Sequence, residues 1–181
     1  MKLHLVRHPR PDIAPGLCYG ASDVPVTEAE LARAATSLHA RGLPGTIAVY
    51  TSPLRRCAEL AQQLNPCALR FDARLAEMDF GSWEGRSWDA IPRAEVDAWT
   101  ADLLHYRPGG AESVLDVARR VAAFVVDLRR ANEAEALIIC HAGTIRLLCA
   151  MAAAATLEQA ALDAARTPHR IGYGAVIALD L

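Results

Sequence analysis

Apolar and polar positions along this 181-residue chain fall into two rhythms that take turns. Leu3-His4-Leu5-Val6 is a short apolar run closed by Arg7-His8, and Pro9 and Pro11 forbid its continuation. It predicts a buried strand with a loop after it. A stretch punctuated by Gly and Pro follows through Pro25 with no period. Thr27 and Glu30 then have capping-box spacing, Leu31, Ala34, Ala35 and Leu38 recur at helical intervals, and Gly42 marks the stop. Residues 46–50 predict a second strand. Ser52-Pro53 reads as an N-cap with proline at the first helical position, opening a helix over 54–64 that Pro66 ends. Residues 68–71 predict a third strand.

The second half repeats the alternation. Residues 75–86 (LAEMDFGSWEGR) form a loop that gathers carboxylates, aromatics and glycines. A weaker helical stretch over 93–105 carries Trp99 and is broken by Pro108-Gly109-Gly110. Ser113 with Asp116 suggests another cap, and Val114, Val117, Val121, Phe124, Val125 and Leu128 make one helical face. Residues 136–140 are almost continuously apolar, as a central strand covered on both faces requires. His141-Ala142-Gly143-Thr144 follows, then a helix over 145–155, a further turn or two over 160–165, and a last β-rich segment over 173–181. Strands alternating with helices, without internal repeats or linkers, predict one α/β domain over 1–181: a three-layer α/β/α sandwich around a mostly parallel sheet.

Composition narrows the chemistry more than the fold. A net charge of −2 gives no reason to expect nucleic acid or a membrane surface as partner. The longest alanine-rich patch, 147–157, is too short to span a bilayer. The strand pattern begins directly after Lys2 with no signal-peptide cleavage region, so a cytoplasmic location is expected. The five cysteines (Cys18, Cys57, Cys67, Cys140 and Cys149) lack C-x-x-C spacing, which argues against a disulfide framework and a cysteine-based zinc site. Only Lys2 among the 19 basic residues is a lysine. Anion chemistry here must therefore use arginine, histidine and backbone amides.

Three strand ends or helix starts carry such residues. Arg7-His8 follows the first strand, Arg56 lies in the first turn of the helix after Ser52, and His141 follows the central strand just ahead of a helix N-terminus. Ligands of open α/β sheets bind at strand carboxyl ends, and a helix N-terminus favours an anion. Two arginines, two histidines and helix-end amides at one point would form a phosphate pocket without lysine, with Glu77 as a proton donor. Each residue also has a plainer reading: a capping histidine at 8, a solvated helix face at Arg55-Arg56, an exposed loop carboxylate at 77. Those readings weaken when all must hold together in one chain.

Leu5-Val6-Arg7-His8, Ser52-Pro53-Leu54-Arg55-Arg56, the 75–85 segment and His141-Ala142-Gly143, in this order, resemble the histidine phosphatase (phosphoglycerate mutase-like) superfamily. The segments 19–27 and 108–113 also look like family segments. The short length, the Phe-Gly-x-Trp-Glu loop and Trp99 are most similar to α-ribazole phosphatases of cobalamin nucleotide-loop assembly. The resemblance implies a metal-independent, cofactor-free phosphomonoesterase acting on a small-molecule phosphomonoester, as monomer or homodimer. It implies His8 as the nucleophile that becomes phosphorylated, with Arg7, Arg56 and His141 on the phosphoryl oxygens and Glu77 as proton donor. It also implies that Ala142, Gly143, Ser22 and Trp99 bind substrate, and that residues 85–110 form a small insertion over the active site. Burial beside Met78, Phe80 and Trp83 would tune the Glu77 carboxyl.

Two departures matter, and one is Arg10-Pro11-Asp12, which differs from the polar residues that usually follow the family's first motif. Pro9 occupies the position where the family pattern has glycine, so that residue offers no backbone N–H to an anion. The alternatives are a broad-specificity phosphatase, a phosphoglycerate mutase, which the short 85–110 segment disfavours, and a catalytically idle phosphate-binding module.

Overall fold

The structure, a computed structural model, describes residues 1–168 and 170–181. Its elements run β1 (Lys2–Arg7), α1 (Glu28–His39), β2 (Ala48–Thr51), α2 (Arg55–Gln63), β3 (Leu69–Phe71), α3 (Arg93–Ala101), α4 (Val114–Arg130), β4 (Glu135–Cys140), α5 (Ala142–Ala153), α6 (Leu157–Arg166) and β5 (Val176–Asp180). The five strands form one sheet in the order β3-β2-β4-β1-β5. All neighbours are parallel except β5, which runs antiparallel to β1 at the edge.

Strand side chains alternate between faces, so each strand feeds two cores. Leu3, Leu5, Tyr50, Ile138 and Cys140 pack toward α4, α5 and α6. Val6, Val49, Leu137 and Ile139 pack toward α1 and α2. The three-layer architecture follows, with β1 and β4 buried on both faces, and it explains why 136–140 is an unbroken apolar run rather than an alternating one. A third cluster of Cys18, Trp83 and Ile91 packs with Val96 and Trp99 of α3. Among the described residues no helix is long and apolar enough to cross a membrane.

Side-chain caps mark where three helices begin, α6 among them, where Thr156 Oγ accepts the Gln159 N–H at 3.1 Å. Thr27 Oγ accepts the Glu30 N–H at the head of α1. Ser113 and Asp116 form a reciprocal capping box at the head of α4, with hydrogen bonds of 3.2 and 3.0 Å. Ser52-Pro53 behaves otherwise: α2 starts at Arg55 with Leu54 as its N-cap residue and no side-chain cap, and the Ser52 hydroxyl accepts the Leu54 N–H at 3.3 Å while also meeting His141 Nε2. Helix α5 starts at Ala142, three residues before the sequence pattern suggests, since His141 itself takes extended N-cap geometry.

Candidate active site

Parallel pairing puts the carboxyl ends of β1, β2 and β4 on one edge of the sheet. The hydrogen-bond ladder continues one residue past each strand: the His8 N–H donates to the Cys140 carbonyl and the Ser52 N–H to the Ile139 carbonyl, both at 3.0 Å. These bonds bring His8, Ser52 and His141 together. The His8 and His141 rings lie 5.1 Å apart, centroid to centroid.

His8 is buried, and its Nδ1 lies 2.7 Å from the Pro9 carbonyl. A carbonyl only accepts, so Nδ1 carries the proton and the lone pair resides on Nε2. Burial, and then the Arg56 and Arg7 charges, outweigh the Pro9 hydrogen bond and lower the His8 pKa to about 3. His141, fully buried with Nε2 2.8 Å from Ser52 Oγ, is likewise held well below its ordinary pKa, first by burial and then by Arg56. Both imidazoles are neutral at neutral pH.

Arg56 is fully buried, which overturns the solvated-face reading. Its guanidinium donates to the Ser22 carbonyl at 2.7 Å and to the Gly20 carbonyl. Arg7 donates to the Ile171 carbonyl at 2.6 Å and lies 3.9 Å over the Tyr173 ring. Glu77 Oε2 accepts the Gly143 N–H at 3.0 Å and Oε1 accepts the Met78 N–H at 3.1 Å. Position 143 must be glycine for this approach, since a Cβ there would sit 2.3 Å from Glu77 Oε1.

Arg7, His8, Arg56, Glu77, Ala142 and Gly143 all line one cavity of about 370 Å³ at the positive end of α5. Its far wall is aromatic: Phe80, Trp88 and Trp99, with the two indoles parallel to within 9° and Phe80 edge-on to both. His141 lies behind this lining, against His8. Two expectations do not hold. Ser22 lies outside the cavity lining, its hydroxyl hydrogen-bonded to Glu84 and its carbonyl to Arg56. Trp83 does not flank Glu77 in the cavity; it is fully buried, donating from Nε1 to Glu95 at 2.6 Å.

Glu84 is the residue that sequence reasoning missed. Its carboxylate accepts the N–H groups of Gly20, Ala21, Ser22 and Phe80, so it fixes the loop whose carbonyls hold Arg56. Burial pushes its pKa up, but the hydrogen bonds from Ser22, Gly20, Phe80 and Ala21 outweigh that and hold it below the usual carboxylate range. Gly20 belongs to the same arrangement, because a Cβ there would lie 1.9 Å from the Met78 carbonyl. The sequence signal was its place as the glutamate of the Phe-Gly-x-Trp-Glu loop, which carries no role by itself.

The two neutral histidines make stability depend on pH. Unfolded, each binds a proton as pH falls through about 6.5; folded, neither does until far lower. Stability is therefore fully present above pH 6.5 and falls as pH drops below it. Each histidine contributes a loss on the order of 1 kcal/mol by pH 5.5, a few kcal/mol together. Urea unfolding at pH 7.5 and 5.5 is expected to differ by that order, and His8→Asn to remove about half of the difference. An unchanged pH dependence in His8→Asn would mean that His8 takes up its proton over the same pH range folded and unfolded.

Comparison with known proteins identifies the family and the fold. The family model described as "Histidine phosphatase superfamily (branch 1)" matches residues 3–168. The crystal structure of the alpha-ribazole phosphatase from Shigella flexneri superposes with a TM-score of 0.83 at 26% identity, covering 100% of this chain and 91% of that one. The mycobacterial glucosyl-3-phosphoglycerate phosphatase complexed with VO3 superposes with a TM-score of 0.80 at 25% identity, covering 99% and 92%. A probable fructose-2,6-bisphosphatase of Schizosaccharomyces pombe is 33% identical over 105 residues, 56% of this chain, and the match spans only 25% of that longer relative.

Proposed function

The chain belongs to the histidine phosphatase superfamily, branch 1, and is a phosphoric monoester hydrolase, and on that premise we propose that it works without a metal, through a phosphohistidine at His8, on α-ribazole 5′-phosphate in cobalamin nucleotide-loop assembly. The observation that carries the mechanism is the buried, neutral His8, its Nδ1 proton held by the Pro9 carbonyl, in one cavity with Arg7 and Arg56. The departure from glycine at position 9 leaves this contact intact, because proline loses its N–H and keeps its carbonyl.

In the first step Nε2 of His8 attacks phosphorus in line, forming a P–N bond as the P–O bond to the leaving group breaks. Arg7 and Arg56 stabilise charge on the three equatorial oxygens, with His141 packed against the His8 ring behind them. Protonated Glu77 gives its proton to the departing alkoxide. In the second step the Glu77 carboxylate takes a proton from water, the water oxygen attacks phosphorus, and the P–N bond breaks to return neutral His8 and release phosphate. Residues 1–181 act as one unit, and residues 85–110 cap the site by presenting Trp88 and Trp99.

The aromatic wall and the likeness to the Shigella flexneri enzyme support a flat, apolar leaving group such as a benzimidazole nucleoside. Phosphate release from α-ribazole 5′-phosphate, ribose 5-phosphate and 3-phosphoglycerate, with and without EDTA, tests the reading. The nucleoside ester is expected to exceed ribose 5-phosphate in kcat/KM by at least about 10-fold, the order that burying the base on aromatics supplies. EDTA is expected to leave the rates unchanged. A ratio near one would discard the substrate, EDTA-sensitive turnover the metal-free route, and isomerisation of 3-phosphoglycerate the hydrolase reading in favour of a mutase.

A further inference from the structure

The segment that carries Glu77 lies between a 3₁₀ turn at Ala73–Leu75 and another at Gly81–Trp83, so no regular element fixes it. It is gripped from α4 instead. Arg120 Nη1 donates to the carbonyls of Arg74 at 2.8 Å and Ala76 at 2.7 Å, and Nη2 to the carbonyl of Glu77 itself at 3.1 Å. Its Nε and Nη2 donate to the two oxygens of Glu112 at 2.8 and 3.0 Å. A guanidinium has five N–H donors, and here all five have acceptors, so none is left for substrate. Arg120 also lies outside the cavity lining.

Glu112 completes the clamp. Its Oε2 accepts the Asp79 N–H at 2.9 Å, and its own N–H donates to the Asp79 carbonyl at 3.2 Å. From the other side, α5 contributes the Thr144 hydroxyl, shared between the Leu75 and Ala76 carbonyls at 3.3 and 3.2 Å. The backbone of residues 74–79 is thus tied on both flanks of position 77. Only the side-chain torsions of Glu77 stay free, and the Gly143 N–H takes up its carboxylate.

We propose that Arg120 and Glu112 are positioning residues for proton transfer: they hold the Glu77 backbone so that its carboxyl meets the leaving-group oxygen. This rests on the reading of Glu77 as the acid. Bulk anchoring would serve every substrate alike, whereas positioning the acid matters only where the leaving group needs a proton. A misplacement of about 1 Å costs on the order of 10²-fold in such a step.

The test compares kcat/KM, which reports phosphoenzyme formation, on ribose 5-phosphate and on p-nitrophenyl phosphate, whose nitrophenolate leaves unaided. Arg120→Met is expected to lower the first by at least about 10-fold and the second by less than about 3-fold. Arg120→Lys, which restores charge without reaching five acceptors, is expected to resemble Arg120→Met. Glu112→Gln keeps an oxygen for the Asp79 N–H and is expected to show a smaller loss of the same selectivity. In a Glu77→Gln background, Arg120→Met is expected to add no further selective loss. Equal losses on both substrates, rescue by Lys, or a selective loss persisting without Glu77 would each overturn the proposal while leaving the acid assignment standing. An unselective Glu77→Gln would overturn the acid assignment and the proposal with it. If Arg120→Met does not fold, Arg120→Lys and Glu112→Gln decide by the same two ratios.

Discussion

His8→Ala is expected to lose turnover by at least about 10⁴-fold while keeping a native circular-dichroism spectrum. Losses of this order follow removal of a covalent nucleophile that acts as one unit with its partners. The backbone supports the spectral expectation: the His8 N–H to Cys140 and the Gly174 N–H to the Arg7 and His8 carbonyls do not involve the side chain. Incubation with ³²P-labelled substrate followed by alkaline denaturation is expected to leave label on the parent protein and none on the variant. Because a P–N bond hydrolyses in acid and survives base, loss of that label on acidification identifies the linkage. A variant that still turned over with a full acid-labile signal would move the nucleophile elsewhere.

The second large effect is at Arg56. Arg56→Ala is expected to lower kcat by at least about 10²-fold, as removal of a preorganised charge donor does in other active sites. Two of its N–H groups are committed to Ser22 and Gly20, so the guanidinium enters the reaction already oriented. Arg56→Lys is expected to recover little, because an ammonium cannot hold both carbonyls and present the same fork to a phosphoryl group. The Arg56 charge also helps lower the His8 pKa. In Arg56→Ala the acid limb of the kcat/KM profile is therefore expected to move toward higher pH. A change confined to KM would assign Arg56 to substrate recruitment alone, and an unmoved acid limb would remove it from the electrostatics of His8.

Much of the fold is local and was legible as such. The apolar run at 136–140, the caps at Thr27 and Ser113 and the proline stops after His8 depend on neighbours within a few residues, and each predicted its element. Strand-end placement did the rest for Arg7, His8 and His141, because parallel pairing carries strand ends to one edge whatever the details of the loops. Ser52 shows the limit. Its position before proline is a sound capping signal, yet the hydroxyl serves His141, a residue 89 positions away that the ladder beside β4 brings within 2.8 Å.

The sequence by itself therefore determined which segments become strands and helices and which charged residues stand at their ends. The tertiary structure decided what those residues touch. It buried Arg56, left Ser22 outside the cavity lining and bonded to Glu84, drew Trp83 into a core of its own, and enlisted Glu84 and Arg120 to hold the loop that grips Arg56 and the segment of Glu77. The reason lies in the range of the forces. Backbone geometry and hydrophobic periodicity act over a few residues and leave a trace in the order of the chain. A buried carboxylate or guanidinium is costly without hydrogen-bond partners, and in this fold those of Glu84 and Arg120 come from loops far apart in sequence.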